Sequence, residues 1–191
     1  AVRRAGILRD GMWVTQWTNA MPGAHNALNA AAAVILAHQL GTEWDAAADA
    51  ASRFRGLDRR MECLGAKPLE QGEVIVYSDY GHHPTEIEKT LHALRAAEDP
   101  RRLICVFQPH QHSRTRFLLD QFAESFSAAD EVIVPEIYFV RDSEAEKKKV
   151  CAQDLVERLQ ERGVPARHVA DFADIVSILQ ADLQDEDLLV V

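Results

Sequence analysis

Ionisable side chains follow directly after an apolar stretch in the middle of the chain. The run 74–76, Val-Ile-Val, is β-branched and typical of a buried strand, and residues 79–83 read Asp-Tyr-Gly-His-His. Pro84 then occupies a favoured first-turn position, which predicts a helix to about residue 97. Ligands of open α/β sheets collect at the carboxyl ends of strands, so these side chains indicate a binding site. A polar turn whose histidines only cap the helix is the alternative.

A second polar cluster follows the next predicted strand, 103–107. It comprises Gln108, Pro109, His110, Gln111, His112, Ser113, Arg114, Thr115 and Arg116. We expect the two strands to be neighbours in a parallel sheet, so that both loops face one crevice. Arg114 falls near the start of the following helix, where the helix dipole disfavours a cation. This placement indicates a bound anion, for instance a substrate carboxylate.

The four imidazoles of the two loops raise the question of a metal centre. They belong to His82, His83, His110 and His112, and only Asp79 offers a carboxylate beside them. Tight metal sites combine defined ligand spacing with supporting carboxylates. We therefore expect an organic substrate and no metal ion at these side chains.

Two further polar clusters lie earlier in the chain. Asn26 and Asn29, with His25 beside them, share one face of a predicted helix and could contact a purine or a phosphate, although helix capping is the simpler interpretation. Arg59 and Arg60 could clamp phosphates or form interdomain salt bridges.

Composition excludes several classes of protein. A net charge of −9 over 191 residues leaves no basic surface for nucleic acid. The longest apolar run, 30–37, is too short to insert into a membrane. Three scattered cysteines favour a reducing, cytoplasmic setting. Because the chain starts without Met and stops on an apolar run, we expect it to be a piece of a longer protein.

The pattern of elements changes near residue 59. Before it we predict one or two short strands within 1–20, turning at Gly11 and packing through Trp13 and Trp17, and then two helices. These are 25–40, closed by Gly41, and a second one capped by Thr42 that ends near Gly56.

After residue 59, strands alternate with helices. The predicted strands are 74–76, 103–107, 131–134, 167–169 and 188–191, and the predicted helices are 84–97, 114–128, 153–162 and 175–183. In helix 114–128 the expected buried side chains are Phe117, Leu118, Phe122 and Phe126, and a polar loop runs to Lys149. The pattern predicts an α/β fold, a mostly parallel sheet with helices on both faces.

Four motifs, in order, resemble the Mur ligases. They are Gly23-x-His25-Asn26-x-x-Asn29, Arg59-Arg60 before Glu62 and Gly65, DYGHHPTE at 79–86, and FQPHQHSRT at 107–115. The last two are highly specific and lie nearest the alanine-adding branch. The resemblance extends over nearly the whole chain.

The resemblance implies an ATP-dependent, amide-forming ligase of peptidoglycan precursor synthesis. ATP would phosphorylate the carboxylate of UDP-N-acetylmuramate, and the amine of L-alanine would attack the acyl phosphate. Residues 1–58 resemble the end of the central ATP-binding domain, and residues 59–191 resemble the C-terminal Rossmann-like domain. The UDP-binding domain, the glycine-rich phosphate loop and the Mg²⁺ ligands would lie in the missing N-terminal and central parts, so we expect this chain alone to be inactive.

Site roles carried over from the family fall into two sets, with no certain catalytic residue. The implied ATP-binding residues are His25, Asn26, Asn29, Arg60 and Asp79. The implied substrate-binding residues are Tyr80, His82, His83, His110 and Arg114, of which Arg114 would bind the amino acid's carboxylate.

Three departures from the family's wording bear on amino-acid recognition. Gln111 stands where the branch usually has Arg, His112 where it has Tyr, and Ser78 where it has Asp. One alternative is a relative that adds a recycled peptide, which tends to have Phe-Ala in place of Tyr80-Gly81. Another is a nucleotide-binding module without catalysis.

Overall fold

The computed structural model describes residues 3–191, which form two compact units divided between Asp58 and Arg59. The division falls where the sequence pattern changes. Each unit is described by itself below. That the first unit is the end of a central ATP-binding domain stays a prediction.

The first unit combines a hairpin with two helices. Strands β1 (Arg4–Arg9) and β2 (Met12–Thr18) pair antiparallel, and Asp10 and Gly11 form the turn with positive φ angles of 52° and 77°. Helices α1 (Ala24–Gln39) and α2 (Trp44–Arg53) follow. The buried centre consists of Trp17, Val34, Ala47 and Ala48.

Two expectations for the first unit are wrong. Trp13 is 56% exposed and does not pack in the core. The hairpin register shifts between Ile7 and Leu8, and this β-bulge turns Trp13 to the face opposite Trp17. The N-cap of α2 is Glu43, one position after the predicted cap Thr42, and its side chain makes no capping bond.

The second unit is an α/β sheet with alternating helices. Its elements in order are β3 (Glu62–Pro68), β4 (Glu73–Ser78), α3 (Pro84–Glu98), β5 (Arg102–Val106), α4 (His112–Phe117), α5 (Leu119–Ser125), β6 (Glu131–Val134), α6 (Glu144–Lys147), α7 (Ala152–Glu161), β7 (Ala166–His168), α8 (Phe172–Asp182) and β8 (Asp187–Val190). The strand order is β3-β4-β8-β5-β6-β7. Only β3 pairs antiparallel.

The position of β8 corrects one expectation. Strands β4 and β5 are not neighbours, because β8 lies between them and pairs in parallel with both. All four residues of β8 are buried, as expected for a central strand covered on both faces.

Helices cover both faces of this sheet, which confirms the predicted fold class. On one face, Ile175 and Leu179 of α8 pack with Val74, Ile104 and Ile133 of three different strands. The other face is covered by α3, α5 and α7, where α5 contacts both neighbouring helices. At the end of β5 the ring of Phe107 lies 5.4 Å from Phe122 and 5.2 Å from Phe126.

The predicted helix 114–128 is two helices, α4 and α5, that meet at Leu118. Phe122 of α5 and its C-cap residue Phe126 are four residues apart and both buried, whereas Phe117 is the last residue of α4, before the break. Accordingly Phe117 is 71% exposed, and its assignment to the buried side is wrong. Two short elements were also missed, namely the edge strand β3 and helix α6 inside the predicted loop.

Between residues 3 and 191, no helix combines the length and the apolar character needed to cross a membrane.

Phe117 and Phe122 form a matched pair for testing this packing. Phe122 is 1% exposed, so we expect Phe122→Ala to lower the free energy of unfolding by about 3–5 kcal/mol. Phe117 contacts mainly the guanidinium of Arg116, at 4.1 Å, so Phe117→Ala is expected to cost less than about 1 kcal/mol. Urea unfolding of the two variants measures both values, and equal losses would contradict the break at Leu118.

Candidate functional site

A cavity of about 320 Å³ lies at the carboxyl ends of β4, β8 and β5. Its walls are mostly apolar and come from α3, α8 and the strand ends. Its polar lining consists of Arg59, Asp79, Tyr80, His82, Gln108 and His110. An apolar cavity with a few converging polar groups is the usual form of a small-molecule site.

The carboxylate of Asp79 holds the backbone of the first loop. Its Oδ1 accepts the N–H of Gly81 at 2.7 Å, and its Oδ2 accepts the N–H of Met61 at 2.8 Å. A side chain at position 81 would place its Cβ 2.8 Å from Asp79 Oδ1, so any other residue here would force the carboxylate to shift. Both oxygens of the predicted nucleotide contact thus already accept a backbone N–H, one from the loop itself and one from Met61 before β3.

Tyr80 is the centre of a cation–aromatic cluster. The guanidinium of Arg59 lies 4.8 Å from the centroid of its ring, and that of Arg60 lies 5.6 Å away. The N–H of Tyr80 also donates to the carbonyl of Arg59 at 2.7 Å. These contacts bring the arginine pair to the same edge of the sheet as the first loop.

The two histidines of the first loop have different environments. His82 lies in the cavity wall, and its ring Nδ1 is 3.1 Å from the carbonyl of Tyr80. The backbone N–H of His82 donates to the carboxylate of Glu86 at 3.1 Å. His83 is exposed and is the N-cap of α3, where its Nδ1 accepts the N–H of Thr85. His83 therefore caps the helix, as the alternative interpretation of this loop predicted. Its role in substrate binding stays a prediction.

Glu86 connects this loop to the arginines. Its carboxylate accepts the N–H of His82 and lies 3.8 Å from Arg60 Nη1. Burial raises the pKa of this carboxyl, but the bond from His82 and the positive charges of His82 and Arg60 outweigh it, so the net pKa is lowered.

His110 brings the second loop to the first across the end of β8. Its ring lies 6.3 Å from that of Tyr80 and 5.2 Å from that of Tyr138. Both loops line the same cavity, as expected, although their strands are not adjacent. Burial lowers the pKa of His110, and the charges of His82, Arg114 and Arg59 lower it further.

Arg114 is the third residue of α4 and is half-buried. Within residues 3–191 no carboxylate lies within 4 Å of its guanidinium. Helix α4 has only six residues, and the N–H of Ser113 in its first turn donates to the carboxylate of Asp142 at 2.8 Å. One anion at this helix start is therefore supplied by the protein itself, and Arg114 is left without an ion pair.

The third set of candidates lies in the first unit, at the start of α1. The amide of Asn26 donates to the carbonyl of Pro22 at 2.7 Å. The N-cap of α1 is Gly23, and within the described residues no side chain caps its N–H groups, so the capping alternative is wrong for this helix. His25 is half-buried, and Asn29 is exposed one turn later. The ATP-binding role of these three residues stays a prediction.

Sequence reasoning missed several residues of the cavity. Phe172, Val176 and Val190 come from α8 and β8, which lie far along the chain from the motifs and show only apolar patterns. The resemblance implies an ATP-binding role for Arg60, whereas Arg59 is the arginine of the pair that lines the cavity.

In the described part of the chain, no three His, Cys, Asp or Glu side chains are grouped closely enough to hold a metal ion. Cys63, Cys105 and Cys151 are all free thiols, and burial raises the pKa of Cys105 to about 12.

A mostly parallel α/β sheet with its cavity at the carboxyl ends of the strands defines a Rossmann-like ligand-binding domain. Residues 59–191 match the family profile described as "Mur ligase, glutamate ligase domain". Since the match covers more than half of the chain, this chain belongs to the Mur ligase family.

Individual relatives agree with this assignment. The UDP-N-acetylmuramate–L-alanine ligase of Halorhodospira halophila is 40% identical over 171 residues, which are 89% of this chain and 35% of the relative. The chain thus spans about a third of the length of that curated relative.

Two solved structures share the fold. The UDP-N-acetylmuramate–alanine ligase of Thermotoga maritima matches with a TM-score of 0.74 and 24% identity, over 98% of this chain and 40% of that one. The murein peptide ligase of Psychrobacter arcticus matches with a TM-score of 0.63 and 23% identity, over 92% of this chain and 35% of that one. At these identities the likeness concerns the fold alone.

The environment of His110 predicts a pH dependence of stability. Its pKa is lowered in the folded chain relative to about 6.5 in the unfolded chain, so the unfolded chain takes up this proton first as the pH falls. We expect stability to be fully present above about pH 6.5 and to decline below it, until the folded form also protonates.

Urea unfolding between pH 7.5 and pH 5 measures this decline, which should involve less than one proton from this site. His110→Gln should reduce the slope, whereas His92→Gln, which replaces an exposed histidine of α3, should leave it in place. An unchanged slope in His110→Gln would contradict the assignment.

Proposed function

We propose that this chain is the C-terminal part of an ATP-dependent ligase that joins L-alanine to UDP-N-acetylmuramate through an acyl phosphate. The observation that carries the proposal is that the two most specific motifs, at 79–86 and 107–115, meet at one cavity. The 40% identity to an alanine ligase supports the same substrate. A cytoplasmic location belongs to this proposal, and three free thiols are compatible with it.

In this proposal the chain's own residues position the amino acid. Arg114, which has no carboxylate within 4 Å in the described part of the chain, binds the carboxylate of L-alanine. Arg114 does not line the cavity itself, but its charge helps to lower the pKa of His110 in the cavity wall, so His110 stays neutral at pH 7. Tyr80 and His82 line the same cavity. The work of this domain is then orientation and charge neutralisation.

Formation of the amide from the acyl phosphate requires no covalent enzyme intermediate. The neutral amine of L-alanine attacks the carbonyl carbon of the acyl phosphate, a C–N bond forms, and the C–O bond to phosphate breaks. The amine loses a proton and inorganic phosphate leaves. No group of this chain needs to become a nucleophile.

Arg59 and Arg60 are proposed to contact the phosphates of ATP, which is a substrate here. Guanidinium groups bind phosphate oxygens in a bidentate manner, and stacking on Tyr80 restricts both side chains before a ligand arrives. Asp79 contributes indirectly, by holding the loop that carries Tyr80. Mg²⁺ is proposed to be held by residues outside this chain, and no step is assigned to it.

The main alternative, a ligase that adds a recycled peptide, tends to have alanine at the position of Gly81. A Cβ there would lie 2.8 Å from Asp79 Oδ1, and the Asp79 carboxylate is held by two backbone hydrogen bonds, one to each oxygen. The contact of Asp79 with Gly81 therefore favours glycine at this position, as in the alanine-adding branch. A non-catalytic nucleotide-binding module is the alternative from another class.

Phosphate release from ATP by the full-length protein tests the function. We expect release to require UDP-N-acetylmuramate and to be fastest with L-alanine, compared with glycine, L-serine and a tripeptide. Release with the tripeptide alone would favour the recycling ligase. Release with none of them would favour the non-catalytic module.

Arg114→Ala in the full-length protein tests the carboxylate contact. Losing a charged hydrogen bond of about 2–3 kcal/mol should raise the KM for L-alanine roughly 30- to 150-fold and leave the KM for ATP within about twofold. Arg114→Lys should give an intermediate value, because a single ammonium replaces the planar fork.

Arg158→Ala is the matched control, since Arg158 forms exposed ion pairs on α7 with Asp120 and Glu161. It should leave both KM values unchanged. Equal increases for L-alanine and ATP in Arg114→Ala would refute the assignment of Arg114.

A further inference from the structure

The segment 138–149 packs against the loop that carries His110 and against helix α4. The sequence predicted only a polar loop here, but three of its residues, Tyr138, Asp142 and Glu146, bond to residues 109–116. Helix α6 lies within it and contacts α4.

The first contact fixes the backbone on both sides of His110. The N–H of Tyr138 donates to the carbonyl of Pro109 at 2.8 Å, and the N–H of Gln111 donates to the carbonyl of Tyr138 at 3.1 Å. His110 and Tyr138 thereby form a short parallel bridge. The ring of His110 is held where it faces Tyr80.

The second contact concerns the turn into α4. Gln111 has a φ of 68°, a left-handed conformation that is uncommon for a residue with a side chain. Its carbonyl accepts the N–H of Thr115 at 3.0 Å and the Oγ1–H of Thr115 at 2.9 Å. A strained residue persists when its surroundings hold it, and here both its N–H and its carbonyl are held.

The third contact is the carboxylate of Asp142. Its Oδ2 accepts the N–H of Ser113 at 2.8 Å, and this bond is the main reason that the pKa of Asp142 is lowered. Further along the helix, Arg116 Nε donates to Glu146 at 3.0 Å, and Lys149 also bonds to Glu146. Arg114 therefore lies between two residues that are each held by a carboxylate, while no carboxylate of residues 3–191 lies within 4 Å of its own guanidinium.

We propose that Asp142 is a positioning residue: it holds the first turn of α4 through Ser113, and so fixes Arg114 where the carboxylate of the incoming amino acid binds. This proposal rests on the proposed function of Arg114. Asp142 itself does not touch the substrate. Its acceptor oxygen matters for this role, and its negative charge does not.

The test uses the full-length protein and three variants. Asp142→Ala removes the acceptor, Asp142→Asn keeps a carbonyl acceptor without the charge, and Asp154→Ala is the control. Asp154 makes the same kind of bond on α7, where its Oδ2 accepts the N–H of Cys151 at 2.7 Å. Wild-type protein first establishes whether phosphate release depends on L-alanine, so failure of the proposed function is detected before any variant is judged.

We expect Asp142→Ala to raise the KM for L-alanine about fivefold, the effect of losing a typical helix-capping bond, with kcat and the KM for ATP unchanged. Asp142→Asn should restore the KM to within about twofold of wild type. Asp154→Ala should lower the melting temperature without changing either KM. Backbone hydrogen exchange of the peptide 110–118 should accelerate in Asp142→Ala only.

Three results would overturn the proposal. A KM for L-alanine that stays unchanged in Asp142→Ala means that Ser113 needs no such cap. A KM that rises equally for ATP, or equally in Asp154→Ala, means general loosening of the domain. A KM that falls below wild type in Asp142→Asn means that the charge of Asp142 repels the substrate carboxylate.

Discussion

The insertion of β8 between β4 and β5 is the constraint on which the second unit depends. Its four residues are buried, and each neighbouring strand pairs with it in parallel. Asp187, at its start, is buried and forms an ion pair with Arg102 of β5, which holds the register of the two strands. Removing one partner of such a pair leaves a buried charge unpaired and is strongly destabilising. The six-stranded sheet is therefore complete only when β8, the last strand of the unit, has paired between β4 and β5.

This insertion sets the width of the candidate site. Adjacent strands lie about 4.8 Å apart, so the ends of β4 and β5 are separated by roughly 10 Å. The gap is wide enough for a cavity, and side chains from the two loops still approach each other across it, with the rings of Tyr80 and His110 6.3 Å apart. If β4 and β5 were neighbours, as the local pattern predicted, the same loops would leave less room above the sheet.

The sequence predicted the strands and helices whose apolar periodicity is strong, and it placed the ionisable loops at strand ends. It could not predict the order of strands, because the apolar sequence of β8 indicates a buried strand but does not indicate which strands it pairs with. It missed β3, whose edge position leaves most of its side chains exposed and so removes the alternating pattern. It also missed Asp142, because a carboxylate that accepts one backbone N–H from a distant segment has no local signature.

Two carboxylates near the candidate site accept backbone N–H groups. This explains how an acidic chain can present arginine side chains to a ligand. The chain has 30 acidic and 21 basic residues, yet Asp79 and Asp142 both bond to backbone N–H groups. Because their oxygens are engaged there, they do not neutralise Arg59 or Arg114, and within residues 3–191 neither guanidinium has a carboxylate within 4 Å. The same bonds fix the loops that carry those arginines. Positive charge is thus held in place at Arg59 in the cavity wall and at Arg114 near His110, where it can attract anionic groups such as a carboxylate or a phosphate.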